Sequence, residues 1–381
     1  MVRLKIAHVC SFYKPAICGA GRVVSELAVR QARAGHDVHI FTSDFDKKKR
    51  ILLKEEIIDG VKVHRCFHIF RASQLTTVWP SVIPKLIMGQ FNIIHTHSFG
   101  QAHVFFGAVA GRLSGAKLVH TTHGPWVATY RPLLARLLLW PSHNLFGRIA
   151  LHLTNRVIAI TNWEVPMIKA HGGRFVTTIQ NGVSEKFFVR KEPNNFKEKY
   201  EIKTKFALYL GRLNESKAPH IFALAAKKIL ETRRDWDFVI TGPDEGMLQT
   251  LKEIIGNDRN IKLIQPPLSD EEAIEAFQAA DLYVLPTRRE GFPLTIYEAM
   301  AAGAPVVATA VASIPFEMKA PDNGLLAELD NVQDFANKIT YLMDHDELRK
   351  QIKINNYAKA EGQKWNLVAE RIEKVYNELT T

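Results

Sequence analysis

Glu290 and Glu298 bracket the stretch Glu290-Gly-Phe-Pro-Leu-Thr-Ile-Tyr-Glu298, which lies between two apolar runs, Asp281 to Pro286 and Pro305 to Thr309. Carboxylates accept hydrogen bonds from hydroxyl groups such as those of sugars and ribose. A short continuous apolar run such as Leu282 to Leu285 is the pattern of a strand buried on both faces of a parallel sheet. The first acid then stands at a carboxyl strand end, where ligands lie in open α/β sheets. Pro293 fits the first position of a following helix, and the free amides of a helix start attract phosphate. A plain helix with surface glutamates has the same spacing, and spacing alone does not choose.

Arg212 and Lys217 bring positive charge to a second strand end. Gly211-Arg212-Leu213 closes the apolar run Phe206 to Leu210. A departing diphosphate needs such a pair, a planar arginine fork and a mobile lysine; a solvated basic turn is spelled the same way. Lys14-Pro-Ala-Ile-Cys-Gly-Ala-Gly21 follows the first strand and precedes a helix expected to begin near Arg22, so its glycines would let backbone approach a phosphate, and a plain turn with a helix start is spelled the same way. The segment is no dinucleotide fingerprint, because Val24 takes the third glycine position and the loop is too long.

His123, in Thr121-Thr-His-Gly124, ends another apolar run, and His95, His97 and His120 also lie at or near strand ends. Any of the four would serve as a satisfied interior histidine. Strand alternation is read as placing His95 and His97 on opposite faces, which sets aside a His-x-His metal site. Asp44-Phe-Asp46 and Asp235-Trp-Asp237 spell the D-x-D of metal-dependent transferases. The first runs into Lys47-Lys-Lys-Arg50, whose charge competes with a cation, and Asp237 opens its strand at the end away from the crevice. No metal site is expected.

The elements that must position these residues alternate. Strand-like runs LKIAHV, DVHIFT, NIIHTH, KLVHTT, RVIAIT and RFVTTI recur through the first half, with room for helices between them. After a polar linker around Ser184 to Lys205 the alternation restarts with FALYLG, DFVITG, NIKLIQ, DLYVLP and PVVAT. Two Rossmann-like sheets in series follow. Asp334 to Thr381 is helical in pattern.

The chain has 381 residues, beyond the size at which one core keeps growing. Its net charge of +11 is uneven: residues 1–185 hold 23 Lys+Arg against 9 Asp+Glu, and the rest 27 against 30. A basic half suggests a polyanionic partner: nucleic acid, an anionic membrane or a phosphate-bearing substrate. The positive residues are scattered with no aromatic-basic module, so nucleic acid is not expected. Cys10, Cys18 and Cys66 form an odd set without C-x-x-C spacing, which argues for a reducing compartment. The amino-terminal run reads as a strand rather than a secretory leader, and a cytoplasmic location is expected. Arg131 to Trp140, continued by Leu145, Phe146, Ile149 and Leu153, is too interrupted to span a bilayer. Leu133, Leu134, Leu137 and Leu138 share a helical face beside Arg131 and Arg136, which suits core packing or a membrane interface.

The E-x7-E motif inside EGFPLTIYEAMAAGAPVVAT, the GRL at Gly211 with its downstream lysine, and the glycine loop together resemble the retaining GT-B glycosyltransferases of family 4 over nearly the whole chain. The resemblance implies two Rossmann-like domains facing a central cleft, residues 1–183 for the acceptor and 184–365 for the donor, with a C-terminal helix, 366–381, crossing back to the first. It assigns Glu290 to the transferred sugar, Glu298 to the ribose hydroxyls, Arg212 and Lys217 to the diphosphate and His123 to the sugar. Amides near Phe292, Leu294 and Thr295, with Gly19, Ala20 and Gly21, would hold phosphate. Two positions depart from the pattern. Pro293 stands where many members have glycine and has no N–H to give, so Leu294 and Thr295 must supply that contact. Ala218 replaces the glycine usual after the lysine.

The implied activity is transfer of a sugar, with retention of configuration, from a nucleotide-diphosphate sugar of UDP or GDP type. The acceptor is a sugar or a lipid-linked or membrane-proximal hydroxyl. The resemblance implies no metal and no cofactor beyond the co-substrate, and the basic half adds a peripheral place on an anionic membrane. The alternatives are a nucleotide-sugar 2-epimerase or phosphorylase on the same scaffold, and a non-catalytic nucleotide-sugar-binding subunit.

Overall fold

The computed structural model describes residues 2–16, 19–46, 49–71, 77–124, 126, 140–189 and 194–381. The chain forms two compact units: Met1–Gly182 together with Trp365–Thr381, and Val183–Lys364.

In unit 1 the strands are β1 (Lys5–Val9), β2 (Asp37–Ser43), β3 (Glu55–Ile58), β4 (Val61–Cys66), the short β5 (Phe70–Arg71) and β6 (Thr77–Val78), β7 (Ile93–His97), β8 (Lys117–Thr121), β9 (Arg156–Ala159) and β10 (Val176–Thr178). Eight of them make one sheet in the order β10-β9-β8-β7-β1-β2-β4-β3, parallel except for the β3–β4 pair. The apolar runs predicted as strands became β1, β2 and β7 to β10. The β3–β4 hairpin went unread because it is an edge, half-exposed along β3, and its residues do not form a continuous apolar run.

Both faces of this sheet are covered. Ala7, Val9, Ile94 and Leu118 pack with Val104 and Ala108 of the helix Ala102–Ser114. On the other side Ile6, Ile93 and Val119 meet Val23 and Leu27 of the helix Gly19–Arg33 and the buried stripe of the helix Trp365–Thr380. That stripe is Trp365, Val368, Ala369, Ile372, Val375 and Tyr376. Each large side chain so buried is worth about 1.5–3 kcal/mol, which ties the last helix to unit 1.

Unit 2 contains β11 (Lys205–Leu210), β12 (Trp236–Thr241), β13 (Ile261–Ile264), β14 (Leu282–Leu285), β15 (Val306–Thr309) and β16 (Gly324–Ala327). The sheet is wholly parallel, in the order β13-β12-β11-β14-β15-β16. The chain starts in the middle at β11, steps outward to β13, then returns to lay β14 against the other side of β11. Strand order therefore reverses between β11 and β14, and such a switch point opens a crevice at the carboxyl ends. The architecture is α/β with two Rossmann-like sheets, as expected. Of the linker, the described part carries a 3-10 turn, Glu185–Phe187, and a short helix, Asn194–Lys199. Asp334 to Thr381 is helical, in three segments beginning at Val332, Asp346 and Trp365.

Candidate functional site

In unit 2 the loops after β11 and β14 converge at the switch point. Gly242 permits this locally: at φ +146 a Cβ there would lie 1.9 Å from the carbonyl oxygen of Gly211, so only glycine lets the ends of β11 and β12 approach. Gly211 donates its amide to Thr241 (3.1 Å) and Leu213 to Pro243 (2.8 Å). Asn214 then holds the next turn, its Oδ1 accepting from the amide of Lys217 at 3.0 Å. The carbonyl of Ser216 accepts from the amide of Arg288 (2.9 Å) and from the hydroxyl of Thr287 (3.2 Å), which fastens the β11 loop to the β14 loop.

The result is contact between Lys217 and Glu290, residues far apart in the chain: the ammonium donates to the Glu290 carboxylate, and both side chains are largely buried. Arg212 pairs elsewhere. Its guanidinium donates to Glu245 at 3.0 Å, Asn214 Nδ2 donates to the same oxygen at 2.6 Å, and about half of the arginine side chain faces solvent. Beneath them Tyr209 donates its hydroxyl to the carbonyl of Arg212 (2.9 Å) and Tyr283 to that of Leu210 (3.1 Å). Burial raises both phenols, with the Glu290 charge adding to it, so they stay protonated donors.

Glu298 lies half-buried on the helix Leu294–Ala302, on its second turn. Pro293 is the cap residue preceding that helix, at ψ 75, rather than its first residue. The physical reason is a tight turn in which the amide of Leu294 bonds back to the carbonyl of Phe292 at 3.0 Å. Ile296 and Tyr297 donate to the carbonyl of Pro293 (3.0 and 3.3 Å). Among the described residues no backbone carbonyl accepts from the amide of Thr295, which makes it the first-turn donor left for a ligand. Phe292 is buried, its ring stacked on Tyr297 with centroids 5.0 Å apart. Ala218, at the departed glycine position, is fully buried at φ 49 and ψ 47, the left-handed region that glycine would enter without strain.

In unit 1 the helix expected near Arg22 begins at Gly19, so Gly19, Ala20 and Gly21 form its first turn. Glycine is tolerated there because first-turn amides have no intrahelical partner in any case. His123 follows β8 at φ 57, a strained conformation for a non-glycine residue. A buried carboxylate holds the loop: Glu164 Oε2 accepts from the Thr122 hydroxyl (2.7 Å), the amide of Gly124 (3.0 Å) and the indole of Trp126 (2.8 Å), while Oε1 accepts from the amide of Ile160 (2.8 Å). Burial pushes the Glu164 carboxyl upward, and those four donors oppose it.

The expectation that His95 and His97 point to opposite faces is wrong. Successive strand residues alternate, so residues two apart share a face, and these rings lie 4.2 Å apart. Register adds His8, which sits beside His95 across the β1–β7 ladder. His8, His95 and His97 bring ligating nitrogens within 4.8 Å of one another, a grouping that could hold a metal. Every ring nitrogen of the three is already in a hydrogen bond, to His97, Gln31, Tyr376, Thr121 or His123. Burial lowers His8 to about 4 and holds His95 and His97 well below their ordinary range. His120 bonds to Thr96 in the interior.

In each D-x-D segment one acid is buried, Asp44 and Asp237. Asp44 binds Arg50 (2.5 Å) and His68, and Asp237 is buried near the start of β12 with Asn260 at 3.3 Å. Cys10 and Cys66 are buried, the thiol of the latter pushed up to about 12 by burial, and Cys18 lies outside the described residues. Leu133, Leu134, Leu137 and Leu138 also lie outside them. Downstream, Trp140, Leu145, Phe146 and Ile149 are exposed. Among the described residues no helix is long and apolar enough to cross a membrane.

Sequence reasoning missed Glu164, Glu245, Asn214, Tyr209 and Tyr283. Only Glu245 carried a signal, as an acid just past the end of β12.

Two family profiles match consecutive parts of the chain, "Glycosyltransferase Family 4" over residues 17–187 and "Glycosyl transferases group 1" over residues 191–359. The UDP-Gal:alpha-D-GlcNAc-diphosphoundecaprenol alpha-1,3-galactosyltransferase of Escherichia coli is 30% identical, covering 90% of this chain and 88% of that one. A D-inositol 3-phosphate glycosyltransferase of Corynebacterium diphtheriae is 29% identical over 184 residues, 46% of this chain and 43% of the relative's length. Among solved structures, Anabaena HepE in complex with UDP superposes with a TM-score of 0.79 at 18% identity, over 98% of this chain and all of that one. The fold is that of GT-B glycosyltransferase structures.

Proposed function

The chain belongs to the group 1 glycosyl transferases, and from that premise we propose that it moves a sugar from a nucleotide-diphosphate sugar to an acceptor hydroxyl with retention of configuration. The observation that carries this reading is the meeting of Lys217 with Glu290 at the switch point between β11 and β14.

The diphosphate binds at this crevice. Arg212 and Lys217 take up the charge that grows on the leaving group, and the amide of Thr295 adds a donor at the start of its helix. Lys217 is held by Glu290 before substrate arrives, so binding trades a carboxylate for a phosphate and costs no search for the lysine's position. Glu290 is then released toward the sugar, and Glu298 accepts from the ribose. In unit 1, His123 is assigned a sugar hydroxyl. Cationic side chains and amides meet the diphosphate charge here, and no metal enters the scheme. No residue is assigned as a covalent nucleophile; the leaving phosphate receives the acceptor's proton on the same face. UDP is favoured as carrier, since UDP occupies a fold of this kind in HepE.

The acceptor is proposed to be lipid-linked. The galactosyltransferase relative is named for a diphosphoundecaprenol acceptor, and Trp140, Leu145, Phe146 and Ile149 present apolar surface on a strongly basic half of the chain. Flotation with anionic vesicles tests this: protein that stays at the bottom of the gradient removes the membrane reading. Hydrolysis of a panel of UDP- and GDP-sugars tests the donor, and turnover of none of them would remove the assignment. A product formed without any acceptor, other than hydrolysis, would favour the epimerase instead.

A further inference from the structure

Four side chains of unit 1 form a continuous hydrogen-bonded line from its interior to the loop of His123. Gln31 Oε1 meets His8 Nε2 at 2.7 Å, His8 Nδ1 meets His97 Nε2 at 3.0 Å, and His97 Nδ1 meets His123 Nε2 at 3.1 Å. They come from the helix Gly19–Arg33, β1, β7 and the loop after β8. Gln31, His8 and His97 are at most 2% exposed, whereas His123 keeps partial exposure.

The line has a direction. An amide oxygen only accepts, so His8 carries its proton on Nε2. A neutral imidazole with one N–H has a bare second nitrogen, so His8 Nδ1 accepts and His97 Nε2 donates. The same step repeats once more, and His123 must donate from Nε2 to His97 Nδ1. Burial keeps the three rings neutral, with His8 and His123 lowered to about 4 and His97 well below its usual range, so no second proton disturbs the order. Tyr376 stands at the far end, its hydroxyl 2.5 Å from His95 Nδ1 and beside Gln31, whose oxygen faces His8.

We propose that Gln31, His8 and His97 are positioning residues that hold His123 in the Nε2–H tautomer, leaving Nδ1 as a bare acceptor for a neutral hydroxyl of the sugar. No partner of His123 Nδ1 is present among the described residues. A bare acceptor selects a hydroxyl donor and rejects an anion, so this position reads a sugar hydroxyl rather than a phosphate. The clamp by Glu164 on Thr122 and Gly124 holds the loop at either side of His123. The hydrogen bonds that fill every nitrogen of His8, His95 and His97 favour this relay over a metal at the same cluster.

The part about the sugar rests on the proposed transferase reading, and the test separates the two. Long-range ¹H–¹⁵N spectra of the full-length protein labelled with ¹⁵N-histidine distinguish a protonated from a bare ring nitrogen at His123, with His123→Gln for assignment. The expected result is Nε2–H in the wild type and in Gln31→Glu, whose carboxylate can only accept. Gln31→Met, which removes the acceptor, is expected to give a mixture of tautomers and a fall of about tenfold in kcat/KM that Gln31→Glu recovers, the size of one lost hydrogen bond. An Nδ1–H tautomer in the wild type, or a Gln31→Met spectrum identical to it, overturns the relay. So does a stoichiometric metal in the purified protein, measured by elemental analysis. The wild-type spectrum decides the direction even where Gln31→Met does not fold. If the spectra follow the expectation while His123→Gln leaves kcat/KM unchanged, the relay stands and the sugar contact of His123 is what fails.

Discussion

Replacing Lys217 by methionine removes the cation and keeps most of the volume of its stem. Glu290 is then left with its side chain 9% exposed and without the Lys217 ammonium against it. Removing one partner of a buried pair costs about 3–5 kcal/mol, and with Lys217 itself 17% exposed the low end applies, about 3 kcal/mol. Glu290→Gln strands the lysine instead, at about 2 kcal/mol, because a longer, flexible ammonium can turn to water. In Lys217→Met/Glu290→Gln neither charge remains, and the loss should be smaller than the two single losses together by about 2 kcal/mol, the coupling of the pair. Guanidinium unfolding of the full chain, with hydrogen exchange read on peptides covering β11 and β14, reports the change in the unit that carries it. Transfer activity should fall about 10²–10³-fold in Lys217→Met, the usual cost of removing one donor to a developing oxyanion. Single variants within 0.5 kcal/mol of wild type, or losses that add without coupling, would refute the claim that this ion pair is a structural element of the site.

Three further outcomes follow from the geometry. Ala218→Gly should be nearly neutral, within about 0.5 kcal/mol by chemical denaturation. Relief of a left-handed alanine, about 1–2 kcal/mol, is offset by glycine's chain entropy of about 0.5–1 and a lost buried methyl of about 0.8; a gain beyond 1.5 kcal/mol would mean the strain is larger than φ 49 implies. Glu164→Gln keeps one acceptor oxygen for Thr122, Gly124 and Trp126 but turns an NH₂ toward the amide of Ile160. That leaves a buried donor unmatched at about 1–3 kcal/mol, visible as a lower melting temperature, and an unchanged one would contradict the clamp. Stability should also fall on acidification. His8, His39, His103 and His123 have folded pKa values lowered from 6.5 to about 4, so the unfolded chain takes up their protons first. Stability is then complete above pH 6.5, falls by about 1.4 kcal/mol per pH unit for each such group, and levels off below about 4. A flat denaturation midpoint between pH 7 and 5 would mean these rings are not desolvated.

Glu298→Ala bears on the donor. Ribose contact is shared by ground and transition states, so calorimetry should find UDP bound about tenfold more weakly with kcat changed less. Equal affinity in the variant would take Glu298 out of the nucleotide site.

Particular elements explain which of these features were legible beforehand. β11, β12, β14 and β15 each carry a continuous apolar run because both faces of a parallel strand are covered, and such runs stand out from any surroundings. β16, Gly324-Leu-Leu-Ala, opens on a glycine and has only two large apolar residues, and β3 at its sheet edge offers no repeated apolar signal. The helix at Gly19 was read as starting three residues late, because glycines suggest a loop until it is noticed that first-turn amides lose nothing to them.

Composition, apolar periodicity and the E-x7-E and GRL motifs determined the two-sheet architecture and the residues Arg212, Lys217, Glu290 and Glu298, since those properties are local along the chain. Partnership was not local. That Lys217 would meet Glu290 while Arg212 met Glu245, and that His8, His97 and His123 would join Gln31 in one line, depended on which strands became neighbours and in what register. A side chain's alternation is written in the sequence, but the identity of the group across from it is set only when the sheet closes over distances the sequence does not record.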